Sequence, residues 1–418
     1  MRLISLSCVL LIMFLMSCET ANNVEPIYEQ YFTKYYGEDG EQEGVDLVTN
    51  GDGTMILLGN SLSQSDPISP FIVKTDAVGN VLWQHEFKTD SETAVDIELI
   101  NGGNQMAVLT NVQKSTTNIC LYILGQDGAL IDSLYITDPK NQFGKSVTQS
   151  SDGGFLISGY KDPDPARNSN LVSPELDEAD ILLLKLDNAL TIKKDLSPGG
   201  GEYVGSGTKA FEINLDNSIY YLVFGYSDRP RPFSNEYRQC FQLLAATPSS
   251  VFSGMQEVSE NEANEEQEAS NVLKIPPALG DGYLMIGKTS AGGGTSDLYL
   301  TRFNKPVSPN EATKSLDRKI PLGRRIEGIA GANASPDGYF IVANELRENN
   351  QRDIFLLRIE RDGTVSWSGS FGSLEGDDTA GGVESLPDGR IALVATIQLE
   401  TQRKMALIVT NPNGGFSD

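Results

Sequence analysis

Histidine occurs once and tryptophan twice in this chain of 418 residues. A single histidine excludes the multi-histidine zinc and copper sites. A Ser/His/Asp triad would have to use His85, and no Gly-x-Ser-x-Gly elbow accompanies it. Cysteine is equally scarce. Cys8 and Cys18 fall within the first eighteen residues, so Cys120 and Cys240 alone remain, too few for a disulfide-stapled scaffold. Positive charge is short: 32 Lys and Arg stand against 57 Asp and Glu, a balance of −25. Such a chain repels phosphate backbones and anionic headgroups, which excludes nucleic acid as a partner. After residue 17 no apolar run is long enough to span a bilayer. No metal or cofactor site is expected either. Asn50, Asp52 and Thr54 lack the later acidic ligands of a calcium loop.

What is abundant is turn punctuation, with 41 Gly and 19 Pro. The start of the chain is different. Arg2 is the one charge in residues 1–17, and residues 3–16 are almost wholly apolar, the h-region of an export signal. The segment ends Leu15, Met16, Ser17, Cys18. It resembles the bacterial lipobox, in which the cysteine is lipidated and becomes the new N-terminus, although Met16 is unusual at its place. Residues 1–17 are thus expected to be a lipoprotein signal peptide, Cys18 the lipidation site and 18–26 a polar tether. A lipid chain anchors a domain without spanning the membrane.

Residues 27–418 carry a repeat. A Gly-containing turn recurs at Asp52-Gly53, Gly102-Gly103, Asp152-Gly153, Asp216-Asn217, Asp281-Gly282, Asp337-Gly338 and Asp388-Gly389. Asp-Gly and Asn-Gly suit the positive φ of tight hairpins. Short runs rich in Val, Ile, Leu, Phe and Tyr flank each turn and read as strands. Four strands per unit and seven units predict an all-β fold, a seven-bladed β-propeller of four-stranded antiparallel blades. The seventh unit ends after its third strand. The strand expected over residues 27–36 is spare and would close that blade, leaving no open edge at the seam.

Residues 147–160, 180–187 and 73–83 resemble the propeller-repeat lipoproteins of the Bacteroidota envelope. Their repeat reads roughly S-x-x-x-T-x-D-G-G-F-I-I-x-G, then D-x-x-L-x-K-x-D-x-x-G-N-x-x-W. The resemblance covers about residues 35–418, with blades two, four and five degenerate. It implies fold and envelope location: an outer-membrane lipoprotein, at the cell surface or on the periplasmic face. It implies no activity. The stretch from Asp76 to Trp83 is similar to the tryptophan-docking repeat of quinoprotein propellers. Its Asp-to-Gly spacing differs by one residue, and blades one and six alone keep the Trp, at Trp83 and Trp367. Packing between blades is the expected role, not a quinone site.

In a propeller, the strand 2–3 loops and the links between blades share one end. Three elaborations fall there: residues 160–180 in blade three, 226–238 in blade four and the acidic link 257–268. Residues 304–317 decorate the opposite end. Arg229, Arg231, Phe233, Tyr237 and Arg238 stand out in this acidic chain, because Arg and aromatics dominate interface hot spots. Either they meet a partner, or the arginines pair with Glu260, Glu262, Glu265 or Glu266. No catalytic residue is singled out. Asp46 and Asp96 share a place on the innermost strands of blades one and two and are expected to solvate the channel. Cys120 and Cys240 fall on third strands of blades separated by blade three, so free thiols are expected. The function this supports is a lipid-anchored, non-enzymatic platform for an envelope protein or protein complex. The alternative is a glycan-binding or carboxylate-based carbohydrate-active propeller.

Overall fold

A computed structural model describes residues 30–417, apart from 39, 63–66, 88–90, 163–178, 198–204, 231–236, 250–253, 258–265, 291–295, 305–312 and 375. The signal and tether expected over 1–26, with Cys18, lie outside the described residues. Residues 31–418 form one compact unit.

Seven four-stranded sheets are present, and every neighbouring pair within them is antiparallel. The innermost strands are Glu41–Thr49, Glu92–Ile100, Gln142–Gln149, Gly205–Leu215, Glu266–Ile275, Ile326–Ser335 and Thr379–Ser385. The last blade takes its outer strand from the other end of the chain. Phe32–Tyr36 pairs with Gln402–Thr410, from Phe32 opposite Val409 to Tyr36 opposite Met405. The closing strand is shorter than expected: Gln30 and Tyr31 form a bend.

There are also seven buried apolar clusters, and each straddles two neighbouring blades, including seven with one. A propeller sheet is therefore buried on both faces, which is why its middle strands read as unbroken apolar runs. In strand Asp180–Leu186, Leu182, Leu184 and Leu186 enter the interface with blade two. Ile181 and Leu183 enter the interface with blade four. At about 25 cal/mol per Å² of apolar area, these interfaces are the main source of stability.

The first turns behave as expected in six blades: Gly53, Gly102, Gly103, Gly153, Asp216, Asn217, Asp281, Gly282 and Gly389 all have positive φ. Blade six departs from this. Its turn at Pro336 and Asp337 needs no left-handed residue, and Gly338 is small for a different reason: a Cβ there would strike the Ile359 carbonyl.

Two boundaries read from sequence need correction. Residues 226–238 are not wholly a loop, because strands Ser218–Pro230 and Tyr237–Ala246 pair out to Pro230 opposite Tyr237. Cross-strand pairing carries the ladder further than the Pro and Arg content suggested. The acidic link is also shorter, since Glu266–Ile275 is already an inner strand and Glu268 pairs with Lys288 at 3.1 Å.

Candidate functional site

The channel is lined by a device repeated in every blade. Each inner strand has a β-bulge at the same place, skipping Val45, Val95, Lys145, Thr208, Ser270, Ala330 and Gly381 in turn. A bulge re-aims the residue that follows it. The post-bulge positions are Asp46, Asp96, Ser146, Lys209, Asn271, Gly331 and Gly382. Two residues further on stand Glu98, Thr148, Asn333 and Glu384. All of these but Ser146 and Gly382 line a polar cavity of about 330 Å³.

Several of these side chains tie one blade to the next. The Asp46 carboxylate accepts from the Ile97 N–H at 3.3 Å, and Asp96 accepts from the Val147 N–H at 2.7 Å. Glu98 accepts from the Gln149 N–H at 3.3 Å, and the Asn333 amide donates to Glu384 at 2.7 Å. Thr148 donates to the Ala210 carbonyl at 2.6 Å. Asp46 and Asp96 thus occupy the shared channel position expected of them. They also clasp backbone, which the sequence did not disclose.

Electrostatics couples the ring. Burial, and then the charge of Asp96, pushes the Asp46 carboxyl up to about 8. Burial likewise lifts Glu98 to about 7, and burial with Asp46 lifts Glu384 to about 8. Burial works against the charge on Lys209, but Asp96, Glu98, Asp46 and Glu384 outweigh it and hold its pKa above the usual lysine range. Four carboxyl groups surround Lys209, with Lys274 also drawing on Glu98, and the shifts keep part of that acid protonated near neutrality.

The other end of the inner strands, where the 1–2 and 3–4 turns emerge, has its own repeated device. A side chain on an outer strand docks on a positive-φ glycine of the next blade's 3–4 turn. Trp83 sits on Gly128, Trp367 on Gly414, and Phe32 of the closing strand on Gly79. A Cβ at Gly128 would lie 3.1 Å from the Trp83 ring. The expected inter-blade role of both tryptophans is thereby accounted for.

Beside each tryptophan lies a cation in register with it: Lys74 opposite Trp83, and Arg358 opposite Trp367. Between blades one and two, Gln126 fills the space they border. Its side chain accepts from Lys74 at 2.5 Å and Asn50 at 3.2 Å, and donates to the Gly103 carbonyl at 2.7 Å. Its backbone carbonyl accepts from the Trp83 indole N–H at 3.0 Å. Between blades six and seven the place of Gln126 is taken by Pro412. There a groove of about 540 Å³ remains, lined by Trp367, Arg358, Glu360, Asp337 and Asn413.

The residues singled out from sequence fall mostly at the loop end. Arg229, Tyr237 and Arg238 lie where two strands pair with each other beyond the last described partners of the inner and outer strands. Among the described residues the inner strand pairs from Gly205 opposite Ser227, and Asp228, Arg229 and Pro230 pair with Gln239, Arg238 and Tyr237. Arg229 is directly opposite Arg238. Arg231 and Phe233 lie outside the described residues, as do Glu260, Glu262 and Glu265. His85 is exposed on the outer strand Val81–Glu86, edge-on to Phe87 at 4.7 Å. Cys120 is a buried free thiol; Cys240 lies on strand Tyr237–Ala246. Among the described residues no three or more His, Cys, Asp and Glu side chains are placed to hold a metal, and no helix is long and apolar enough to cross a membrane.

Sequence reasoning missed Lys209, Glu98 and Glu384 in the channel, and Arg358 and Glu360 at the groove. One signal for the channel set was available. A small residue two places earlier marks most bulges, as Gly44, Ala94, Gly144, Gly207, Ala269 and Ala380 do.

No family model matches the chain, and no curated protein matches it. Among solved structures, the β-propeller domain of the Trilobed protease from Pyrococcus furiosus is similar, with 11% identity and a TM-score of 0.47 over 90% of this chain and 98% of that one. An oligogalacturonate lyase in complex with manganese gives 11% and 0.47 over 90% and 96%. The Trp149Ala mutant of Synechocystis apocarotenoid oxygenase gives 11% and 0.47 over 78% and 71%. At such identity the likeness concerns architecture alone.

Proposed function

We propose that this propeller is a lipid-anchored, non-enzymatic binding platform of the cell envelope, held through Cys18 at the outer membrane and facing the cell surface. Its partner is an envelope protein or protein complex. The observation that carries this reading is the blade-four strand pair. Two arginines occupy directly opposed positions, Arg229 and Arg238, near the far end of the strand pair. Like charges opposed across an antiparallel pair destabilise it. An acidic partner surface would relieve that cost. Arg231, Phe233 and Tyr237 complete the proposed contact, because Arg and aromatic residues carry most interface energy.

The test is affinity capture from membranes. The unaltered chain is compared with Arg229→Ala, Arg238→Ala and Phe233→Ala forms, alongside Cys18→Ala. Loss of one acidic envelope partner from the blade-four variants is expected, and its unchanged recovery from all of them would remove the proposed surface. Fatty-acid labelling should mark the unaltered chain and not Cys18→Ala. Labelling that persists in that variant would overturn the anchor.

A further inference from the structure

The repeat supplies its own control for the groove between blades six and seven. Blades one and six present the same pair, a cation opposite a tryptophan, to the next blade. At the first junction every polar group of that pair is used: Gln126 accepts from Lys74, and its carbonyl from the Trp83 indole. At the second, Pro412 has no side-chain donor or acceptor to offer, and among the described residues none accepts from the Trp367 indole N–H. Trp367 is half-buried, with one edge on Gly414, so its ring is held in place by the scaffold. The Arg358 guanidinium lies 4.7 Å from the centre of Phe340 and donates to Ser335 Oγ. That stacking fixes its plane while leaving further N–H groups to point elsewhere. Asp337 and Glu360 line the groove with carboxylates, and Ser366, Ser385 and Asn413 add hydroxyl and amide groups.

From this we infer that the blade six–seven groove is a binding site for a neutral carbohydrate of one or two hexose rings. An immobilised indole with a free N–H offers a flat apolar surface and a donor at its edge. A pyranose is complementary, with an apolar C–H face and hydroxyls around its rim. Guanidinium, carboxylate, hydroxyl and amide groups together supply both donors and acceptors for those hydroxyls. One cation against two carboxylates disfavours an anionic sugar or a phosphate. The volume of about 540 Å³ lies within the range of small-molecule sites. This site is at the opposite end of the propeller from the blade-four strand pair and shares no residue with it, so the two readings fail independently.

The experiment uses the full chain in detergent and titrates maltose, cellobiose and galactobiose, with digalacturonate as the charged comparison. Binding is read by calorimetry and by tryptophan fluorescence. At least one neutral disaccharide should bind. Pro412→Gln, which puts back the plug found at the other junction, should weaken it at least about tenfold, equivalent to about 1.4 kcal/mol. Trp367→Phe, which keeps the contact with Gly414, should weaken binding and abolish the fluorescence change. Trp83→Phe should leave both unchanged. The proposal is overturned by any of three results: no neutral disaccharide bound at about 10 mM, a concentration beyond weak millimolar sites; binding indifferent to both Pro412→Gln and Trp367→Phe; or digalacturonate bound as tightly as the neutral sugars.

Discussion

The junction of blades one and two and the junction of blades six and seven are built from the same repeat and sealed at opposite ends. Between one and two, the channel side is polar: Asp46 reaches across to the Ile97 N–H. The rim is plugged by Gln126. Between six and seven, the Asn333 amide likewise reaches Glu384 at 2.7 Å, but beside it the channel side is closed backbone to backbone. A Cβ on Gly331 would lie 2.8 Å from the Gly382 Cα. The rim there is left open. The lesson is that a propeller junction needs one good seal along its inner strands plus a large shared apolar cluster. Once those are present, the other end is free to vary, and such freed positions are where a repeat scaffold acquires function.

The strongest way to break this contrast is to unseal the six–seven hub. Gly331→Val places side-chain atoms where only backbone fits, and backbone cannot move aside. A loss of about 3 kcal/mol is expected, read as a lower urea midpoint with an unchanged slope.

Removing the plug on the other side should cost less. Gln126→Ala removes the amide acceptor of Lys74 and one of two for Asn50, leaving Lys74 the residue 126 carbonyl and Asn50 the Thr54 hydroxyl, and a loss of about 1.5 kcal/mol follows. Pro412→Ala, at the equivalent place, breaks no hydrogen bond and should stay within about 0.5 kcal/mol. Equal losses from the two would erase the distinction between a plugged and an open rim.

The smallest effect is on pH dependence, and it belongs to the hub. Burial lifts Asp46, Glu98 and Glu384 to about 8, 7 and 8. The folded chain therefore keeps protons that the unfolded chain has already released above the usual carboxylate range. That contribution is complete at low pH and is lost as pH rises through 7 to 8. Unfolding free energy should fall between pH 6 and pH 8.5 by about 1 kcal/mol or more. Glu384→Gln can still accept from Asn333 and should flatten part of that slope. A slope unchanged by Glu384→Gln would remove this residue from the titrating set.

Much of the architecture was legible because propellers punctuate every blade with turns. The seven turn positions located all seven sheets, and the missing fourth strand of the last unit pointed to closure by the N-terminal strand. Asp46 and Asp96 were placed in the channel because they stand at the same offset from their turns. Lys209 was not, because blade four is degenerate and its turn at Asp216-Asn217 stands seven residues on, one more than in blades one and two, so the shared offset did not pick it out. The rim groove was illegible for a different reason. It depends on what stands opposite Trp367, and Pro412 becomes the counterpart of Gln126 only once strand register is known. In the blade-four loop, Pro and Arg suggested a loop where the chain pairs two strands, because cross-strand pairing overrode local composition.

With only two tryptophans in the chain, the contrast can be read directly. Selective ¹⁵N labelling of tryptophan gives two indole N–H signals, assigned with Trp83→Phe. The Trp83 N–H, bonded to the Gln126 carbonyl at 3.0 Å, should exchange slowly with solvent. The Trp367 N–H should exchange rapidly in the unaltered chain and become protected when the groove is filled. Equal protection of both signals in the absence of any ligand would mean that the six–seven rim is closed, and would contradict the account at its centre.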